Sequence, residues 1–137
     1  MSTMAQQLLG YAHKRITLPK RITLPDRQKT AFQKNYRTAV RNAPTLIKTA
    51  GLAQAIAFMA TKTHKPNEPG YRALLTDIEE LPNIDKLIKV GGADLLPSVC
   101  RLETAEYMLL TRRVLEGLTF LKRMAEAYYP PNDVEVE

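Results

Sequence analysis

From Leu110 to Tyr128 the residues Leu110, Val114, Gly117, Leu121, Met124 and Tyr128 recur at intervals of four, three, four, three and four. That spacing lays one stripe along a helix of 3.6 residues per turn and is incompatible with a strand, whose faces alternate every second residue. It predicts a long closing helix, from about Pro97 to Tyr128, ended by Pro130-Pro131 and packed along its stripe against other helices.

The rest of the chain supplies those partners. A short first helix is expected from about Thr3 to Arg15, with Leu8, Leu9 and Ala12 on one face. A tandem hexapeptide follows, Lys14-Arg15-Ile16-Thr17-Leu18-Pro19 and then Lys20-Arg21-Ile22-Thr23-Leu24-Pro25. Proline disfavours helix at the residue before it, so residues 14–25 read as a basic loop. Two copies of six residues fall far short of a solenoid repeat and are read as a local duplication. Asp26 is placed to cap a second helix reaching about Asn42, with Phe32, Tyr36, Ala39, Val40 and Ala43 on its inner side. Pro44 suits the first turn of a further helix, Thr45 to Ala50, and Gly51 allows a turn or a close helix contact.

Residues 51–63 are almost uncharged and apolar nearly all round, as befits the centre of a bundle. Residues 64–70 read as a loop, Tyr71 to Leu81 as a shorter helix ended by Pro82, and Asn83 to Val90 as one or two turns before Gly91-Gly92. The tail from residue 129 to residue 137 is acidic and expected to fray. The fold class is therefore all-α: a single compact bundle of about five to seven helices with a long C-terminal helix. A length of 137 residues suits one domain spanning residues 1–137.

Charge divides this chain unevenly. Residues 1–65 hold twelve Lys and Arg against Asp26 alone, a net of +11, whereas residues 66–137 hold eight basic and thirteen acidic side chains, a net of −5. Solvated surfaces ordinarily mix both signs, so the first half points to a polyanionic partner. In the helix after Asp26, Arg27, Lys34 and Arg41 recur every seven residues with Arg37 between them, opposite the apolar stripe. The candidate RNA-binding residues are Lys34, Arg37, Arg41 and Lys48 on that face, with Lys62 and Lys65 at the end of the central helix. Arg112, Arg113, Lys122 and Arg123 weigh less, because Arg112 with Glu116 and Lys122 with Glu126 are spaced for surface pairs. Phe32, Tyr36 and Phe58 sit on apolar faces and are read as core rather than as base-stacking platforms.

No constellation for catalysis, a cofactor or a metal is evident. His13 and His64 lie some fifty residues apart without a ligand motif, and Gly91-Gly92 lacks the context of a phosphate loop. Asp77, Glu79 and Glu80 fit a solvated face. Cys100 is a lone cysteine, which suits a reducing compartment, and no apolar run is long enough to span a membrane, so the expected location is cytoplasmic.

Four collinear blocks carry a more specific signal: Tyr36-Arg37-Thr38-Ala39-Val40, Ala43-Pro44-Thr45-Leu46-Ile47, the run from Gly51 to Lys62, and Leu118 to Ala127. Together they resemble the small helical subunit of the type III-B Cmr CRISPR effector complex. The resemblance implies a non-catalytic protein that stacks with copies of itself into a minor filament beside the backbone subunit and the guide RNA. Target single-stranded RNA would pair with the guide in the groove between the filaments. A helical adaptor or a DNA-binding regulator is the alternative, and the latter suffers from an uncharged would-be recognition helix at residues 51–61.

Overall fold

The computed structural model describes residues 3–23, 25–66, 68–84, 87–88 and 95–131, and for Asp26 the backbone only. Among them are seven helices and no strand: α1 (Met4–Ile16), α2 (Pro19–Ile22), α3 (Asp26–Ala50), α4 (Leu52–Lys62), α5 (Pro69–Glu79), α6 (Leu95–Cys100) and α7 (Thr104–Tyr128). The two 25-residue helices, α3 and α7, pack on one another and organise the rest. At 1.5 Å per residue each runs for about 38 Å. Helix α1 lies against α7, α4 and α5 cover α3, and α6 lies on α4.

The first helix begins where a capping box dictates. The Thr3 side chain accepts from the Gln6 amide while the Gln6 side chain accepts from the Thr3 amide, so two otherwise orphaned donors are satisfied. Leu8 and Ala12 turn inward as expected, but Leu9 is exposed.

The segment from residue 14 to residue 25 is not a loop. Helix α1 continues through the first hexapeptide to Ile16, and the second hexapeptide forms the single turn α2 with Pro19 at its start, where a missing amide costs nothing. Ile16 is fully buried and Arg21 nearly so, which gives the duplicated segment its helical register. Pro25, rather than Asp26, occupies the N-cap position of α3, since its carbonyl already accepts from the Lys29 amide.

Pro44 does not divide α3. Ala43 and Ile47 lie on the same buried stripe, and keeping both inward favours an unbroken helix despite the backbone bond that proline cannot make. The turn to α4 comes at Gly51, whose φ of 90° lies in the left-handed region. A side chain there would also press on the Tyr107 hydroxyl, which accepts from the Ala53 amide at 2.9 Å.

Two further expectations are corrected. Helix α4 buries Leu52, Ala55, Ile56 and Met59 but exposes Gln54, Phe58 and Thr61, so it flanks the bundle rather than filling its centre. The closing helix is two elements, because the chain turns at residues 101–103, where Glu103 is extended and takes the N-cap position of α7. On α7 the buried residues are Leu110, Val114, Gly117, Leu118, Leu121 and Ala125, while Met124 is half-buried and Tyr128 exposed. A straight helix drifts from a strict seven-residue repeat, and by its end the stripe has moved one residue on. Tyr129 takes the place expected of Tyr128: it is buried and its hydroxyl donates to the Ile16 carbonyl at 2.7 Å. The expected fraying therefore does not begin at residue 129. Gly91-Gly92 and residues 132–137 lie outside the described residues, as does most of the turn expected after Asn83.

Candidate nucleic-acid interface

The predicted cations do not share one environment. On α3, Arg27, Arg41 and Lys48 are exposed, while Lys34 and Arg37 are half-buried. Arg37 donates from Nη1 to the carbonyls of Glu126 and Tyr129, both at 3.1 Å. It therefore caps the negative C-terminal end of α7, a structural task independent of any ligand. Arg27, Lys34, Arg41 and Lys48 follow one side of that helix at seven-residue spacing, all exposed but the half-buried Lys34.

Lys62 and Lys65 lie elsewhere, at the α4–α5 connection. Lys62 is held 3.4 Å from Glu68, with its ammonium 5.3 Å from the centre of the Phe58 ring and 6.0 Å from that of Tyr71. The two rings meet edge to face at 6.3 Å. Phe58 is 42% exposed, so this aromatic is not the core residue that its apolar helix suggested. Lys65 is exposed. The six candidates thus form two groups, one along α3 and one beside the start of α5.

Among the described residues the most tightly bound charges lie elsewhere, at positions whose spacing carries no such signal. Asp77, expected on a solvated face, is fully buried. Its Oδ1 accepts from Arg15 Nε at 2.7 Å and Arg21 Nη2 at 2.8 Å, and its Oδ2 accepts from Arg21 Nη1 at 2.8 Å and the Tyr36 hydroxyl at 2.5 Å. Arg15 Nη1 also reaches Glu80 at 2.5 Å. The two arginines occupy the same position in successive copies of the hexapeptide, and both close on one carboxylate. Arg21 lies over the rings of Phe32 and Tyr36, and Gln33 donates to its carbonyl at 3.1 Å. Burial, with Asp77 adding to it, pushes the Tyr36 hydroxyl well above its usual range. Desolvation works against the charge of Arg21, but the bond to Asp77 prevails and its protonated form is favoured further still. This cluster ties α1, α2, α3 and α5 together. Its chemistry is that of a buried, satisfied ion network rather than of an acid and base poised to react.

Of the surface pairs expected on α7, the turn at residue 116 is spanned instead by Arg113, 3.9 Å from Glu116. Among the described residues no three His, Cys, Asp or Glu side chains converge as a metal site requires, and no helix is long and apolar enough to cross a membrane.

The family model for CRISPR-associated protein (Cas_Cmr5) matches residues 5–128. The CRISPR system Cmr subunit Cmr5 of Thermus thermophilus is 29% identical over 92 residues, spanning 67% of this chain and 73% of that protein. An X-ray crystal structure of a CRISPR-associated Cmr5 family protein, also from Thermus thermophilus, aligns with a TM-score of 0.63 at 25% identity, covering 93% of this chain and 97% of the other.

Proposed function

This chain belongs to the CRISPR-associated Cas_Cmr5 family, and we propose that it is the small, non-catalytic subunit of a Cmr ribonucleoprotein that targets RNA. In this reading it partners the other Cmr subunits, stacks with copies of itself into a minor filament, and lies along the target single strand as that strand pairs with the guide. The observation that carries the reading is the family match over residues 5–128, which spans all seven helices.

The charge distribution supports it physically. Lysines and arginines on an outward helical face neutralise phosphates without reading bases, as guide-directed recognition needs, because base pairing supplies the sequence. Lys34, Arg41 and Lys48 along α3, and Lys62 and Lys65 near α5, are the proposed contacts. Arg37 contributes mainly by holding α7 in place. The acidic second half of one copy, including the exposed Glu103 and Glu106 at the start of α7, would face the basic first half of the next.

Affinity purification of the tagged chain from its host tests the reading. Guide RNA and the backbone subunit should copurify, and their absence would overturn it. Arg41→Glu with Lys48→Glu should then weaken target binding equally for unrelated target sequences. Reversing Glu103 and Glu106 to lysine should lower the number of copies per complex.

A further inference from the structure

Two neighbouring cavities run across the first turn of α5 and share Pro69 and Arg72 as a common wall. The first, about 240 Å³, is lined by Arg15, Lys20, Arg21 and Arg72 and has Phe32 at its side. The second, about 260 Å³, adds Lys65. Among the described residues no carboxylate lines either cavity. Of the lining cations, Arg15 and Arg21 are already paired, with Asp77 and Glu80, while Lys62 beside the second cavity is paired with Glu68. Lys20, Arg72 and Lys65 are exposed, and among the described residues none of the three has a carboxylate partner.

The wall between the cavities is fixed. The Gly70 amide donates to Asn35 Oδ1 at 2.6 Å, and Gly70 sits so close to α3 that a Cβ there would fall 2.3 Å from the Tyr36 nitrogen. Arg72 is steadied by a bond to the Thr63 carbonyl at 3.1 Å. Arg21 is locked by Asp77, so the inner end of the groove is a preorganised guanidinium rather than a mobile surface cation. Pro69, the first residue of α5, lies between the two cavities.

We propose that this groove, with Lys20, Arg72 and Lys65 along it, seats two successive phosphates of a single-stranded nucleic acid. The sugar edges lie against the exposed ring of Pro69. The proposal rests on the function above but locates a different surface from the outward face of α3, and it joins Lys65 to residues of the duplicated hexapeptide. Exposed cations along a groove lined by no carboxylate among the described residues suit the phosphates of such a strand.

The test measures binding of labelled target RNA by the assembled, guide-loaded complex, carrying Lys20→Glu with Arg72→Gln, or Lys65→Glu, or Arg41→Glu with Lys48→Glu. Copy number is read by native mass spectrometry. The first two variants should lower affinity by about tenfold or more for unrelated targets, and reduce the slope of log affinity against log salt by about 0.7 per phosphate lost. Groove variants that bind like the parent, while the α3 variant is weakened, would overturn the groove and leave the function standing. Parental binding by all three would overturn both. Groove variants that drop out of the complex would assign the groove to an acidic protein partner and overturn the proposal.

Discussion

The Arg21 guanidinium and the Asp77 carboxylate meet fork to fork, Nη1 to Oδ2 and Nη2 to Oδ1, each at 2.8 Å, with Asp77 fully buried and Arg21 only 3% exposed. A carboxylate that deep is tolerated because four donors reach its two oxygens, and the arginine because its charge is matched at once. The pair joins α2 to α5 across 56 residues of sequence.

Removing the carboxylate alone should therefore cost more than removing it together with Arg21. Asp77→Ala leaves Arg21 an uncompensated buried charge and should lower the unfolding free energy by about 3–5 kcal/mol, whereas Arg21→Ala leaves Asp77 paired with Arg15 and should cost less. Arg21→Met combined with Asp77→Leu should be milder than Asp77→Ala alone, since no fully buried charge is stranded and Arg15 keeps Glu80. Urea denaturation of the three variants decides the point. A double variant as unstable as the sum of the singles would refute this account of the cluster.

Two glycines should respond in opposite senses to alanine. Gly70 faces backbone, with a Cβ placed 2.3 Å from the Tyr36 nitrogen and 2.5 Å from its Cα, so α5 must move away from α3. Gly70→Ala should destabilise by about 1–3 kcal/mol or more, as overpacking does. Gly10 lies inside α1 with nothing within 4 Å of such a Cβ. Gly10→Ala should stabilise by about 0.5–1 kcal/mol through helix propensity alone. Thermal melts followed by circular dichroism compare the two directly.

Stability should fall in alkali through the buried tyrosines. Burial pushes Tyr129 up to about 12 and Tyr36 well above the ordinary value of 10. Below pH 10 both are neutral folded or unfolded, and their contribution is intact. Between pH 10 and about 12 the unfolded chain releases protons that the folded chain keeps, so unfolding is favoured as pH rises. The midpoint of thermal unfolding should drop across that window, and less steeply in Tyr129→Phe. Equal slopes in the two proteins would exclude Tyr129 from the effect.

The helices were legible in the sequence wherever apolar spacing was the only signal at work. Phe32, Tyr36, Ala39, Val40 and Ala43 are all buried on one side of α3, as their spacing required. The reading failed where a tertiary partner overruled a local rule. Local sterics at Pro44 predict a break, but burial of Ala43 and Ile47 on either side keeps α3 whole. Asp77 looked solvated because Arg15 and Arg21, its partners, are more than fifty residues away, and charge in a one-dimensional reading does not reveal who meets whom. The duplicated hexapeptide hid the clue: arginine at the same place in both copies, six residues apart. The cations of α3 and of the α4–α5 connection were identified as charged surface, but their separation into two groups depends on packing angles that periodicity does not carry.

Arg37 and Arg41 were grouped by phase on α3, and the structure separates them. Arg37 donates to the carbonyls of Glu126 and Tyr129, which have no further turn of α7 to bond, whereas Arg41 projects outward. Arg37→Ala should thus lower stability by about 1 kcal/mol, the net worth of such hydrogen bonds, and loosen amide protection over the last turn of α7. Arg41→Ala should lower stability less, its side chain being exposed. In the assembled complex the order reverses, with Arg41→Ala reducing the salt dependence of target binding more than Arg37→Ala does. Hydrogen exchange at residues 125–129, read beside an RNA salt titration, distinguishes the two roles. Equal loss of protection in both variants would mean that the phase of α3, and not the contact with α7, sets what each arginine does.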